Sequence, residues 1–196
     1  MRTTEGLREV PHANLEVTNS YFSVIDTDYV YKAKIEIYGR NLGGILVIKK
    51  MGPETHRVVF TTEFGSKIFD FLFEGDTFTK NFVLEDLDRK LIITTLEKDF
   101  RVLIKENVAV VQKFTSENLE VYKSVSDKSF NFYFSNTSEG RLTKITNTSK
   151  RKEKFEILFN SIVPDSASEE NKIADSIDII HKNIKLAIHL DYLKNN

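Results

Sequence analysis

Along most of the chain apolar and polar residues alternate with a period of two, the pattern of strands that bury one face. It begins at Tyr29, Tyr31, Ala33, Ile35 and Ile37, set against Lys32, Lys34 and Glu36 on the other face. Asn41-Leu42-Gly43-Gly44 reads as a hairpin connection, since Asn and Gly tolerate positive φ. Residues 45–51 follow as a strand apolar on both faces, which suggests a covered position. Tight turns at Gly52-Pro53-Glu54, Glu63-Phe64-Gly65-Ser66 and Glu74-Gly75-Asp76 then separate strands over 57–62, 67–73 and 77–83. These strands form a meander. Residues 1–20 show little period and are read as a tether or a short helix around 14–22, ahead of one domain over 21–196.

The period changes once. Leu87, Leu91, Leu96, Phe100 and Leu103 recur every three to five residues with charges between them, which predicts one amphipathic helix over 86–105. Glu85 and Asp86 suit its positive end and Lys105 its negative end. Strands resume near 108–113, 119–124, 130–134, 141–146, 155–159, 176–181 and 184–192, with a polar gap over 161–175. The class is mainly β (α+β): a curved antiparallel sheet with one long helix.

Composition gives that sheet a problem to solve. The chain has 15 Phe and 7 Tyr but no Trp. Phe69, Phe71 and Phe73 share one strand face, as do Phe130, Phe132 and Phe134, and Phe155, Ile157 and Phe159. About twelve strands at about 4.8 Å spacing span roughly 50 Å if flat. A helix covers only about 10–12 Å of that width. The sheet therefore curls on itself, is covered by a partner, or holds an apolar ligand. Rings of this size either fill a barrel or line a pocket for acyl chains, and the period does not choose between them.

Charge and motifs exclude more than they assign. With 28 Lys+Arg against 29 Asp+Glu, the chain lacks the basic surplus of a nucleic-acid binder. It has no Cys, hence no disulfide, thiolate metal site or Cys nucleophile. No Gly-rich phosphate loop, metalloprotease helix or nucleophile elbow occurs. His12, His56, His181 and His189 fall at spacings without metal-ligand logic, and His189 reads as a solvated strand residue. A non-enzymatic protein without cofactor or metal is expected. The polar start at Met1 fits either a cytoplasmic protein or one whose targeting segment and lipobox precede it.

The order over 29–106 is specific enough to compare. It runs through a Tyr-rich strand, a Gly turn, Gly44-Ile45-Leu46-Val47-Ile48-Lys49, Arg57-Val58-Val59-Phe60-Thr61-Thr62, the turn at Phe64-Gly65, an aromatic strand and an amphipathic helix. This resembles the lipoprotein carriers and receptors of the Gram-negative outer-membrane localisation (Lol) system, the receptor more than the periplasmic chaperone. It is most similar to uncharacterised envelope lipoproteins of that fold. The resemblance implies an unclosed β-barrel with helical cover in its mouth and an apolar cavity for lipoprotein acyl chains. It also implies an exposed apolar side chain on the turn after the third strand, which matches Phe64. The expected cavity lining is Leu46, Phe69, Phe71, Phe73, Phe130, Phe132 and Phe134, with Phe64 as the membrane or partner contact. The function expected is that of a monomeric, lipid-anchored envelope protein at the periplasmic face of the outer membrane. Its partners would be lipid or lipoprotein acyl chains and the membrane surface. The alternative is a solid-core scaffold or interaction lipoprotein of the envelope with no small-molecule ligand.

Overall fold

The computed structural model describes residues 3–138, 140–164 and 172–193. The strands in chain order are β1 (Arg8–Val10), β2 (Glu16–Thr18), β3 (Asp28–Ile37), β4 (Arg40–Gly52), β5 (Thr55–Thr61), β6 (Lys67–Glu74) and β7 (Thr77–Val83). A 3-10 turn (Glu85–Leu87) and helix α1 (Lys90–Ile104) follow. Then come β8 (Asn107–Ala109), β9 (Gln112–Thr115), β10 (Leu119–Ser126), β11 (Ser129–Asn136), β12 (Arg141–Ser149), β13 (Lys152–Pro164), β14 (Lys172–His181) and β15 (Leu186–Tyr192). Thirteen strands pair in the order β1-β9-β10-β11-β12-β13-β14-β15-β3-β4-β5-β6-β7, and β2 pairs with β8 apart from them. β15 pairs antiparallel with β3, which joins the two runs of strands into one sheet. β1 and β7 stand at opposite ends of the order, so the sheet is an unclosed barrel, as expected.

Alternation works as read on the first strand. Tyr29, Tyr31, Ala33, Ile35 and Ile37 are all buried. On β4, Leu46 and Ile48 are fully buried, while Ile45 and Val47 on its other face are half-buried rather than covered. Helix α1 lays Ile92, Leu96, Phe100 and Leu103 into the same core, with Phe100 against Phe69 at 5.8 Å between ring centres. Each side chain of this kind contributes about 1.5–3 kcal/mol by leaving water.

Five expectations are corrected. The turn expected at Asn41–Gly44 is Tyr38-Gly39 instead, with φ of 49° and 82°, and Asn41 to Gly44 belong to β4. Two successive positive φ values match the twist of the flanking strands, and that geometry, not Gly content, places the turn. The helix starts at Lys90, not 86, because Leu87 is buried in the 3-10 turn and Asp88 is drawn to Lys80 at 2.6 Å. Residues 8–10 and 16–18 are strands rather than a tether or short helix; partners distant in sequence, β9 and β8, supply their hydrogen bonds. The expected strand 108–113 splits into β8 and β9, which pair with different partners. The polar gap 161–175 is shorter than read, since β13 reaches Pro164 and β14 begins at Lys172; residues 165–171 lie outside the described residues.

Candidate functional site

Strand β11 shows how the sheet divides its aromatic residues. Tyr133 is 1% exposed in the main core, beside Ile145 of β12, which in turn pairs with Ile157 of β13. Phe132 and Phe134 therefore project from the opposite face, where they form a second cluster with Val121, packed by Leu7, Phe114 and Leu119. Lys144 lies 4.1 Å from the Phe134 ring centre, and Lys123 lies 4.3 Å from that of Phe130, itself 40% exposed. Of the expected lining, the structure thus brings Leu46, Phe69, Phe71 and Phe73 together on the concave face and does not bring Phe130, Phe132 or Phe134 to it.

The concave face is packed with rings. Phe69 stacks on Phe71 at 4.6 Å and lies 5.4 Å from Phe60, while Phe78 meets Phe71 and Phe73 at 5.2 and 5.3 Å. From the N-terminal segment, Tyr21 stacks on Phe159 at 4.2 Å and Phe22 packs on Tyr29 at 5.1 Å. The Tyr21 hydroxyl donates to the Leu142 carbonyl at 2.8 Å, and burial pushes its pKa up to about 12. Sequence reading missed this insertion; the adjacent aromatic pair Tyr21-Phe22 just past a weakly patterned segment was its signal.

Space for a ligand opens at the end of the barrel beside the helix C-terminus. A cavity of about 360 Å³ opens there, walled by Phe73, Val102, Ile104, Val108 and Tyr133. That is near the lower end of ligand pockets, about 300–1,000 Å³. Several of its polar groups are paired, while Asp76 and Asp127 also border it. Lys50 meets Glu106 at 2.6 Å, and Arg101 donates to the Gly75 carbonyl at 2.9 Å while lying 5.4 Å over the Phe73 ring. Burial pushes the Tyr133 hydroxyl up to about 12. His56 is 5% exposed, with Nε2 3.0 Å from the Phe22 carbonyl, to which it donates as the Nε2–H tautomer.

Burial holds the His56 pKa below its ordinary value, against Glu106, which favours the charged ring, and with Lys50, which opposes it. A depressed folded-state pKa means that the native state binds fewer protons than the unfolded chain. Stability is then full above the ordinary His value and falls as pH drops through it toward the folded value. Thermal melts from about pH 7.5 to about pH 5.5 should show this loss in the wild type and a flatter profile in His56→Gln. Equal slopes in the two proteins would remove His56 as the cause.

The other candidate feature is the β5–β6 turn. Thr62 N–H donates to the Ser66 carbonyl at 2.8 Å, Gly65 N–H to the Thr62 carbonyl at 3.0 Å and Ser66 N–H to Thr62 Oγ1 at 3.1 Å. Gly65 takes φ 85°, which a Cβ would disfavour. The turn is thus fixed by its own hydrogen bonds, and Phe64 at its tip is 97% exposed. Turn tips favour polar residues, so a fully solvated ring on an ordered tip has no part in folding.

His189, expected to be solvated, is partly exposed and clasped by Asp178 at 2.5 Å and Asp191 at 3.0 Å, and the Asp178 hydrogen bond raises its pKa. His181 faces buried Asp99 at 2.8 Å. Among the described residues no group of three or more His, Asp or Glu is placed to hold a metal ion.

No family model and no curated protein matches this chain. Solved structures do resemble it. A LolA superfamily protein from Nitrosomonas europaea superposes with a TM-score of 0.55 at 10% identity, covering 89% of this chain and 88% of that one. A domain named as an outer membrane lipoprotein-sorting protein, from Vibrio parahaemolyticus, gives 0.50 at 8% identity over 87% and 86% of the two chains. The fold is LolA/LolB-like, as the order of strands and helix implied.

Proposed function

From this fold and its exposed tip we propose that the chain is a non-enzymatic envelope protein that binds lipid or lipoprotein acyl chains and acts in lipoprotein localisation. It works at the periplasmic face of the outer membrane as a lipid-anchored monomer and touches the membrane through Phe64. The observation that carries the reading is the 97% exposure of Phe64 on a turn whose backbone is otherwise hydrogen-bonded. Burying that ring in lipid would recover about 1.5–3 kcal/mol that the folded chain leaves unused. The cavity of about 360 Å³ is sized for part of one acyl chain, with Phe73 the member of the expected lining that borders it. Reversible apolar burial needs no catalyst: each methylene contributes about 0.8 kcal/mol.

A second reading is favoured by the packed interior, where Phe60, Phe69, Phe71 and Phe100 are at most 1% exposed. It is the solid-core scaffold or interaction lipoprotein with no small-molecule ligand. Lipid extraction and mass spectrometry of the purified chain separate the two. Bound acyl species support the carrier; a clean extract from a protein that also excludes a fluorescent fatty acid favours the scaffold. Phe64→Glu should weaken vesicle binding several-fold while changing stability by no more than about 0.5 kcal/mol, as for other surface changes. A melting temperature lowered by many degrees would mean that Phe64 supports the fold, against the membrane reading.

A further inference from the structure

We propose that Phe64 is one corner of a wider lipid-docking face. In it the Tyr38-Gly39 tip is a second aromatic anchor, and the groove between Tyr38 and Leu91 takes an acyl chain of an anionic bilayer. The inference rests on the reading of Phe64 as a membrane contact and extends it to residues that reading does not use.

Register brings these parts to one end of the sheet. Ile37 pairs with Arg40 across the Tyr38-Gly39 turn, and Thr61 pairs with Lys67 across the Phe64-Gly65 turn. Within β4, Ile45, the partner of Thr61, lies in the half that begins at Arg40, so both turns lie beyond the same end. Strand β7 finishes there too, with Val83 opposite Phe69, and delivers Leu84 and then the helix start. The same end thus carries two aromatic-glycine tips. Its exposed apolar side chains include Phe64 at 97%, Leu91 at 59%, Tyr38 at 44% and Leu84 at 42%.

Tyr38 is the informative member. Its φ of 49° is the left-handed region, where Asn or Gly sits easily and a bulky ring does not. Turn geometry therefore does not favour Tyr at this position, and its ring projects partly into solvent. Beside it a groove of about 270 Å³ is lined by Ile37, Tyr38, Leu87, Leu91 and Ile92, with Arg40, Asp86 and Arg89 also bordering it.

Charge selects the occupant. Arg40 neutralises Asp86 at 3.0 Å, Lys80 neutralises Asp88 at 2.6 Å and Lys32 meets Glu63 at 3.7 Å. Arg89, Lys90 and Lys185 remain exposed without an ion pair among the described residues, against Glu85 and Glu36, so cations still outnumber acids. A face with apolar side chains, an amphipathic Tyr and surplus cations matches the interface of a bilayer with anionic headgroups. There Tyr sits at headgroup level and Lys or Arg reaches phosphate.

The test is co-sedimentation of the full chain with vesicles of phosphatidylcholine alone and of phosphatidylcholine with about a quarter phosphatidylglycerol. The wild type should bind the anionic vesicles more tightly. Tyr38→Asn and Leu91→Glu should each weaken binding about fivefold or more, and Arg89→Gln with Lys90→Gln should remove most of the preference for anionic lipid. Tyr38→Asn should melt no lower than wild type, because Asn accepts the left-handed φ, so its loss of binding cannot be assigned to unfolding. Binding lost in Phe64→Glu but intact in Tyr38→Asn and Leu91→Glu would overturn this inference and leave the Phe64 contact standing. No wild-type binding to either vesicle would overturn both. A concentration-dependent dimer abolished by Leu91→Glu, without vesicle binding, would assign the groove to a second copy and overturn the bilayer as its occupant.

Discussion

His181→Ala is expected to lower stability by about 3–5 kcal/mol, the cost of leaving a buried charge without its partner. For a chain of this size that is a melting temperature lower by about 10 °C. The partner is Asp99, fully buried on α1, whose Oδ2 lies 2.8 Å from His181 Nε2 and whose Oδ1 has no hydrogen-bond partner among the described residues. Burial already pushes the Asp99 pKa up, opposed chiefly by the His181 hydrogen bond. Without His181 that opposition is gone and the carboxyl takes up a proton. The native state then binds more protons than the unfolded chain. Its stability is full below the ordinary Asp value and declines as pH rises through the raised one. The variant should therefore lose more, relative to wild type, at about pH 8 than at about pH 4. Asp99→Asn in the same background should recover part of the loss at about pH 8, because a neutral amide is buried without first having to take up a proton. A loss below about 1 kcal/mol, the same at both pH values, would show that the pair is not what holds the helix to β14.

That pair also explains why the sequence was legible on one side of the helix and not on the other. Leu96, Phe100 and Leu103 recur at helical spacing and enter the same core as the regularly alternating strands β3 to β6, with Phe100 against Phe69 of β6, so both sides of that contact were readable. The other flank of α1 meets β11 to β14 through polar groups. Lys98 donates to Asn147 at 3.0 Å, Asn147 donates to Asn131 at 2.6 Å, and Asp99 meets His181. Lys, Asp, Asn and His look like solvent residues in any periodicity, so these contacts were invisible although the apolar face of Phe155, Ile157 and Phe159 was not. The same ambiguity misplaced the β11 rings: Phe130-Asn131-Phe132-Tyr133-Phe134 has an aromatic on both faces, and period two fixes alternation but not phase. Only the register of Tyr133 with Ile145 shows which face is concave. The Phe64 tip was legible because the turn is local, with Gly65 supplying the positive φ within four residues. The groove beside Tyr38 was not, since the turn was read at Asn41–Gly44, one glycine pair too late.

That glycine pair has a use of its own, and it should give a second large effect. A Cβ on Gly44 would lie 1.9 Å from the Thr61 carbonyl oxygen and 2.9 Å from the Thr61 carbonyl carbon, both backbone atoms that cannot swing aside. A Cβ on Gly43 would meet nothing within 4 Å. Gly44→Ala should therefore cost about 3 kcal/mol, the upper part of the overpacking range, while Gly43→Ala should be neutral or slightly stabilising. Two adjacent, chemically identical substitutions then differ only in what the methyl group touches, and paired thermal melts read the difference directly. The strain is also directed. Thr61 is the last residue of β5, and the next four positions carry the turn that presents Phe64. Displacing the Thr61 carbonyl moves the base of that turn, so Gly44→Ala should weaken vesicle binding at temperatures where the protein is still folded, and Gly43→Ala should not. Equal melting temperatures for the two variants would mean that β4 and β5 separate freely at this point, and Gly44 would then have no part in setting the position of the Phe64 tip.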